Sequence, residues 1–85
     1  MRVVAIYKDE RDYTREVVNY LADFERQTSH TIDALDPDSV EGIDFCQAYD
    51  IVEYPTLLAM SDDGSLLNMW RGRPLPTISE VSFYV

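Results

Sequence analysis

Few side chains in this 85-residue sequence could do covalent or metal chemistry. There is one cysteine, Cys46, and one histidine, His30. A single cysteine cannot form an internal disulfide or a Cys-x-x-Cys pair, and one histidine cannot supply a pair of imidazole ligands. We therefore predict that the protein holds no metal and no cofactor. Cys46 is interpreted as a small buried side chain of the second helix, and His30 as an exposed residue at the start of the second strand.

Charge excludes further classes of function. Sixteen acidic residues stand against seven basic ones, which gives a net charge of −9. Phosphates attract Lys and Arg, so we expect neither nucleic acid nor a membrane as a partner. No apolar run approaches the roughly 18 residues of a membrane-spanning helix. The apolar stretch at the N-terminus is shorter than that of a signal peptide, and a cytoplasmic location is the expectation.

The first half of the sequence alternates between strand and helix patterns. Residues 3–7 are continuously β-branched, small or aromatic, which is typical of a strand buried on both faces. From Tyr13 to about Gln27 the apolar residues follow helical spacing, namely Val17, Tyr20, Leu21 and Phe24. A second strand is expected at about residues 30–35, and Pro37 indicates a turn directly after it.

A second helix is predicted after this turn. Residues 38–41 read Asp-Ser-Val-Glu, which has the form of a capping box, and the helix should run to about Tyr49. Its inward stripe is expected to contain Val40, Ile43 and residues 46–47. Gly42 lies inside the helix and should weaken it by up to about 1 kcal/mol relative to alanine.

The second half contains a hairpin and a short helix. Residues 56–60 and 65–71 are predicted strands, and the Ser-Asp-Asp-Gly sequence between them is a turn. A second capping box, Thr77 to Glu80, begins a last helix that should reach Val85. The order β-α-β-α-β-β-α requires parallel strands first and an antiparallel pair later. We predict one α/β domain over residues 1–85, with a four-stranded mixed sheet flanked by three helices.

Residues 49–58 carry a resemblance to a known family. They read Tyr-Asp-Ile-Val-Glu-Tyr-Pro-Thr-Leu-Leu, and Asp63-Gly64, a strand and Gly72 follow. The sequence resembles the thioredoxin and glutaredoxin superfamily, which has a similar Tyr-x-Ile-x-x-x-Pro-Thr, a strand, a turn, another strand and a glycine. The resemblance covers nearly the whole chain and implies a thioredoxin-like fold. It also implies a cis bond between Tyr54 and Pro55.

The reactive motif of that superfamily is missing. Its members place Cys-x-x-Cys between the first strand and the first helix, where this sequence reads Arg11-Asp12-Tyr13-Thr14. Thiol-disulfide exchange requires a thiolate at the helix N-terminus, and neither Arg11 nor Thr14 can provide one. The sequence is therefore not expected to encode a thiol-disulfide oxidoreductase, and we assign it no catalytic residue.

The resemblance implies that the start of the first helix, the Pro55 loop and the turn near Gly72 meet at one cleft. Five of the seven basic residues lie on these segments. We predict a redox-inactive module that binds an extended peptide or an anionic small ligand such as glutathione, because helix N-termini and arginines attract anions. The main chain of Tyr54 would pair with the ligand, the Tyr13 ring would pack on it, and arginines would meet its charge. The candidate site residues are Arg11, Tyr13, Thr14, Arg15, Tyr54, Pro55 and Arg71.

Three alternatives stay open. The basic side chains could only solvate loops and balance nearby acids. The acidic residues at positions 36, 38, 41 and 44 could instead dock a basic protein partner. A glutathione-dependent enzyme without catalytic cysteine could use the Tyr13 or Thr14 hydroxyl, as the similar N-terminal domain of glutathione transferases uses Ser or Tyr. Enzyme activity is not the expectation, and the oligomeric state is left undetermined.

Overall fold

The structure is a computed structural model that describes residues 1–85. Its elements, in chain order, are β1 (Arg2–Ile6), α1 (Thr14–Thr28), β2 (Asp33–Leu35), α2 (Val40–Ala48), β3 (Thr56–Met60), β4 (Leu66–Arg71) and α3 (Ile78–Ser82). This is the predicted order of strands and helices. None of the three helices has the length and apolar character needed to cross a membrane.

The four strands form one mixed sheet in the order β2-β1-β3-β4. Strand β1 pairs parallel with β2 and antiparallel with β3, and β3 pairs antiparallel with β4. The two central strands are therefore β1 and β3. Four of the five residues of β1 and all five of β3 are buried. This burial on both faces explains their continuous apolar composition.

Alternate residues of the central strands point into two separate cores, because successive strand side chains face opposite sides of a sheet. On one side, Phe24 of α1 and Val81 of α3 pack on Val3, Ala5, Leu57 and Ala59. On the other side, Cys46 of α2 and Ile51 pack on Val4, Ile6, Leu58 and Met60. The helices thus cover the sheet on both faces, as the α/β prediction requires.

The first and last helices agree closely with the sequence analysis. Helix α1 lies within one residue of the predicted bounds, and its buried residues are Val17 and Phe24. Helix α3 begins with the predicted capping box, in which Thr77 accepts from the Glu80 N–H and the Glu80 side chain accepts from the Thr77 N–H. It ends at Ser82, three residues before the predicted end.

The second strand is shorter than predicted. It contains only Asp33–Leu35, because its register with β1 provides three pairs, which run from Val4 opposite Asp33 to Ile6 opposite Leu35. Ser29 ends α1 in a left-handed conformation, and in the connection that follows Ile32 is buried in the core with Phe24. His30 is exposed in this connection, outside any strand.

The N-cap and the buried face of α2 differ from the prediction. The N-cap is Ser39, whose hydroxyl accepts the Gly42 N–H at 3.0 Å, and not Asp38. The helix buries Gly42 and Cys46. The prediction that Val40 and Ile43 face the core is wrong, since they are 80% and 45% exposed.

Gly42 has a packing role that the sequence analysis missed. A Cβ at this position would lie 2.7 Å from the carbonyl carbon of Asp36 and closer still to its oxygen. That carbonyl also accepts hydrogen bonds from the main chain and the hydroxyl of Ser39, at 3.1 and 2.7 Å. The turn before α2 therefore folds back onto the first turn of the helix, and only glycine leaves room for it.

We expect Gly42→Ala to destabilise the fold by about 3 kcal/mol, because the new methyl group would force the Asp36 carbonyl away from the helix. Urea unfolding followed by circular dichroism measures the change. Gln47→Ala, at an exposed position of the same helix, is the control and should change stability by less than about 0.5 kcal/mol. In an unconstrained helix interior alanine would stabilise, so a Gly42→Ala protein as stable as the wild type would contradict this account.

Candidate functional site

The predicted meeting of three segments is present in the structure. The Gly72 N–H donates to the Pro55 carbonyl at 2.8 Å, which joins the end of β4 to the loop before β3. The Lys8 Nζ atom lies 5.3 Å from the centroid of the Tyr54 ring. Arg73 Nη2 lies 3.3 Å from Asp12 Oδ2, which ties the 72–74 turn to the start of α1. The β1–α1 loop, the Pro55 loop and the turn at Gly72 therefore form one surface.

Pro55 lies at the buried centre of this surface. The Tyr54–Pro55 peptide bond is cis, as the resemblance implied. Pro55 is fully buried, so it supports the loop and offers no side-chain surface to a ligand. Gly72 has a φ of +70° and lies under Glu53, whose Oε2 would be 2.5 Å from a Cβ at Gly72.

The two hydroxyl groups of the predicted site have structural partners. Tyr13 is buried, and its hydroxyl oxygen accepts the Lys8 N–H at 3.0 Å. The Thr14 hydroxyl donates to the Lys8 carbonyl at 2.6 Å and accepts the Arg11 N–H at 3.0 Å. Both side chains hold the β1–α1 loop in shape. The expectation that the Tyr13 ring packs on a ligand does not fit this burial.

The main chain of Tyr54 is free. Neither its N–H nor its carbonyl takes part in the backbone hydrogen bonds of the fold. The same holds for Val52, whose side chain is 87% exposed. Val52 and Tyr54 thus present unpaired main-chain groups and an apolar side chain just before β3, while the Glu53 carbonyl between them accepts the Thr56 hydroxyl at 2.6 Å. The sequence analysis singled out Tyr54 and missed Val52, for which an apolar residue in a loop was the available signal.

The structure divides the basic side chains into two groups. Four of them form ion pairs: Arg2 with Asp33, Lys8 with Asp38, Arg26 with Asp23, and Arg73 with both Asp12 and Glu16. Arg11, Arg15 and Arg71 are exposed and form none. These three are the arginines that the sequence analysis placed at the ligand. None of the three has a carboxylate oxygen within 4.0 Å of its guanidinium.

Arg15 lies at a different place from Tyr54. It lines an open groove between α1 and the 74–75 segment, together with Glu16, Asn19, Tyr20, Asp23, Pro74 and Leu75. None of the three cavities of the structure is lined by Tyr54 or Pro55. The surface at Tyr54 is therefore an open edge and not an enclosed cleft, and Arg15 is separate from it.

Cys46 lies close to Tyr54 but in a setting that suppresses its reactivity. Burial raises the pKa of the Cys46 thiol, and this outweighs the opposite effect of the neighbouring Tyr54 hydroxyl. Burial likewise raises the pKa of Tyr54. A thiol with a raised pKa is protonated at neutral pH and is a poor nucleophile. No group of three or more His, Cys, Asp or Glu side chains is arranged to hold a metal ion.

Comparison with known proteins identifies the fold. No protein-family model and no curated protein sequence matches the chain. The structure is similar to that of thioredoxin 1 from the thermophilic eubacterium Thermosipho africanus TCF52B, with a TM-score of 0.69 over 99% of this chain and 89% of that one. The chain has a thioredoxin-like fold. Since the two sequences are 14% identical, the similarity concerns the fold alone. The predicted α/β class and four-stranded mixed sheet are confirmed.

One buried polar group in the thioredoxin-like fold has no partner. The Tyr20 hydroxyl is inaccessible to solvent and makes no hydrogen bond. Burial raises the pKa of Tyr20 to about 12, and the nearby Glu80 carboxylate adds to the shift. The ring of Tyr20 contributes to the groove with Arg15, while its hydroxyl is an unsatisfied donor beneath the surface.

We expect Tyr20→Phe to stabilise the protein at neutral pH by about 1 kcal/mol, because it removes a desolvated hydroxyl without removing a hydrogen bond. In the wild type, Tyr20 ionises more easily in the unfolded chain than in the fold because of its raised pKa, so the fold loses stability as the pH rises from 10.0 to about 12. The variant should lack that part of the alkaline loss. Chemical denaturation at several pH values measures both effects.

Tyr49→Phe is the matched control, since the Tyr49 hydroxyl donates to the Gly64 carbonyl at 2.7 Å. It should lose about 1 kcal/mol, the typical net contribution of such a bond. Equal losses in the two variants would show that Tyr20 has a hydrogen-bond partner after all.

Proposed function

We propose that this thioredoxin-like domain binds an extended, acidic peptide along residues 52–54, without thiol chemistry. The observation that carries the proposal is the unpaired main chain of Tyr54 on a surface whose other two segments carry Arg11 and Arg71, both without ion pairs. Glutathione, an anionic peptide-like molecule, is the smaller ligand of the same chemistry.

The free main chain supports pairing with an extended ligand. An extended peptide recognises exposed N–H and carbonyl groups by adding a strand, and alternate side-chain contacts then supply specificity. Residues 52–54 lead directly into β3, so a paired peptide would continue the hydrogen-bonding direction of the sheet. The exposed Val52 side chain offers an apolar contact at one end of this segment. Because no cavity encloses this surface, it suits an extended peptide better than a compact molecule.

The arginines support an acidic ligand. Arg71 is opposite Thr56, the first residue of β3, which follows Tyr54 by two residues in the sequence. Arg11 lies in the β1–α1 loop, which approaches Tyr54 through Lys8. A guanidinium binds a carboxylate with two parallel hydrogen bonds. The net charge of −9 repels acidic molecules elsewhere on the surface, so a ligand of this kind is retained only where positive charge is uncompensated.

The cysteine supports a role in binding alone. Cys46 is the one cysteine of the sequence and is buried, with a thiol whose pKa burial raises. A catalytic disulfide cycle within one chain needs a second cysteine to resolve the mixed disulfide. The proposal therefore includes no electron transfer.

A titration of the nitrogen-15-labelled protein with a short peptide of alternating Glu and Thr tests the proposal. We expect shifts at the amides of residues 52–54 and of Arg71. Arg11→Gln and Arg71→Gln should each weaken binding about fivefold, which corresponds to about 1 kcal/mol. Arg26→Gln, which removes a cation already paired with Asp23, is the control and should have no effect.

Three further ligands sharpen the result. A peptide with Gln in place of Glu should bind more weakly, and one with N-methylated amides should lose its effect at Tyr54. Glutathione should shift the same amides if a compact anion suffices. Absence of shifts at residues 52–54 and Arg71 with millimolar acidic peptide and glutathione would refute the proposal.

A second candidate function is docking of a basic protein partner through α2. Val40 and Ile43 are 80% and 45% exposed on this helix, although the sequence analysis placed them in the core. Acidic residues surround them, at positions 36, 38, 41 and 44. Apolar side chains ringed by acids suit a partner helix with an apolar stripe flanked by Lys and Arg.

This second function predicts that a Lys-rich amphipathic peptide shifts the amides of α2, and that an Asp38→Asn, Glu41→Gln, Asp44→Asn variant weakens its binding at least tenfold, or about 1.4 kcal/mol. Glu41→Gln and Asp44→Asn without the Asp38 change, which keep the Lys8–Asp38 ion pair, should leave the acidic-peptide titration unchanged. If the triple variant binds the basic peptide as the wild type does, the acidic residues are only a solvated helix face.

A further inference from the structure

Three aromatic rings come together at the surface between β4 and α3. The Trp70 ring of β4 contacts the Tyr84 ring edge-on at 5.6 Å between centroids, and Tyr84 contacts Phe83 in the same way at 5.2 Å. These rings line an open cavity of about 440 Å³, together with Asn68, Ser79 and Glu80. A cavity of this size is large enough to hold a ligand group. It is separate from the surface at Tyr54, which lines no cavity.

The fold holds two of these rings in place. The Tyr84 hydroxyl accepts a hydrogen bond from Asn68 Nδ2 at 3.2 Å, and the Tyr84 N–H donates to the Val81 carbonyl at 2.9 Å. Asn68 is itself fixed, because its Oδ1 accepts the Met69 N–H at 2.8 Å. The Trp70 side chain packs against the buried core on this face of the sheet. A wall of rings that is already ordered loses little conformational entropy when a ligand binds.

The one charged residue in the lining of this cavity is Glu80. Its Oε1 accepts hydrogen bonds from the Thr77 N–H at 3.3 Å and from the Thr77 hydroxyl at 3.1 Å. Its Oε2 accepts none, and no basic nitrogen lies within 4.0 Å of the carboxylate. Arg71 follows Trp70 along β4 and faces the other side of the sheet, because neighbouring strand residues alternate. The lining therefore carries one negative charge and no positive charge.

Aromatic rings beside a carboxylate select a cation. The faces of aromatic rings are electron-rich and attract positive charge, tryptophan most strongly. An anion would be repelled by Glu80 and by the net charge of −9. An apolar group would displace water from the Glu80 carboxylate without replacing its hydrogen bonds. Of the cationic side chains, arginine fits best, because its guanidinium is planar and weakly hydrated, stacks on rings and donates to carboxylates.

We propose that the cavity between β4 and α3 binds an arginine side chain of a protein partner. The guanidinium contacts the aromatic rings of the lining and donates to Glu80 Oε2. Phe83 is 78% exposed, so the bound chain also covers apolar surface that otherwise faces water. This site takes the charge opposite to that of the ligand proposed for Tyr54 and lies on different residues, so neither proposal depends on the other.

A titration with a blocked Gly-Arg-Gly peptide tests the proposal, because Trp70 is the one tryptophan of the sequence and its fluorescence reports on this cavity. We expect millimolar peptide to change that fluorescence and to shift the Trp70 indole and Phe83 amide resonances. A peptide with citrulline, which keeps the shape of arginine without its charge, should bind about fivefold more weakly. A lysine peptide should also bind more weakly. Equal binding of either control peptide, or no response of Trp70, would overturn the proposal.

Two substitutions test the individual contacts. Phe83→Leu keeps an apolar side chain but removes the ring, and Glu80→Gln removes the charge but keeps the capping box, which glutamine also forms. Each should weaken binding of the arginine peptide about threefold, the effect of one exposed cation–π contact or ion pair. Glu41→Gln is the matched control, since it makes the same change on α2, across the sheet, and should have no effect. A Phe83→Leu or Glu80→Gln protein that binds like the wild type would contradict the proposal.

The same variants separate this cavity from the site at Tyr54. Arg71→Gln, which should weaken the acidic peptide, should not weaken the arginine peptide. Phe83→Leu should leave the acidic-peptide titration unchanged. Loss of both kinds of binding in either variant would show that the two ligands share one surface, which the separate lining of the cavity does not allow.

Discussion

The antiparallel pairing of β1 with β3 is the constraint on which the rest of the structure depends. Five residue pairs, from Arg2 opposite Met60 to Ile6 opposite Thr56, place two apolar strands at the centre of the sheet. Side chains on both faces of these strands must be buried, and each face needs its own helical cover. Helices α1 and α3 cover one face and α2 covers the other. The thioredoxin-like arrangement follows from this double demand, without a disulfide.

The same pairing fixes the candidate site. Because β1 ends opposite the start of β3, the loop after β1 and the loop before β3 leave the sheet at the same end of these two strands. The structure uses the side chains of the β1–α1 loop, Tyr13 and Thr14, to hold the loop together. It leaves the main chain of Tyr54 without a backbone hydrogen-bond partner. A peptide bound there replaces bonds to water, so each new hydrogen bond contributes only about 1 kcal/mol, and selectivity depends on the arginines.

The agreement between sequence and structure is best where the signal is local. The buried runs of β1 and β3, the 3.6-residue period of α1 and the Thr77 capping box each lie within one element and were predicted correctly. The N-cap of α2 was predicted one residue too early because Asp38 and Ser39 are both good N-cap residues. The choice is made by a tertiary contact, the approach of the Asp36 carbonyl to Gly42, which no periodic pattern records.

For the site, the sequence placed the correct segments together but misjudged individual side chains. The resemblance implied that Tyr54, the first loop and Gly72 meet, and a chain of contacts through Lys8 and Pro55 joins them. Tyr13 looked available because an aromatic residue at a helix start gives no sign of its burial. Its hydroxyl bond to the Lys8 main chain arises from the path of the loop, and loop paths are the part of a fold that composition describes least.

Arg71 connects the two unpaired parts of the sheet. It ends the edge strand β4 opposite Thr56, which follows Tyr54 by two residues in the sequence. Charges farther apart than about 8 Å are largely screened at physiological ionic strength, so the net charge of −9 opposes association only weakly at long range. At contact distance the unpaired guanidinium decides which carboxylate can approach. The selectivity of the proposed site for an acidic peptide therefore depends on this cation.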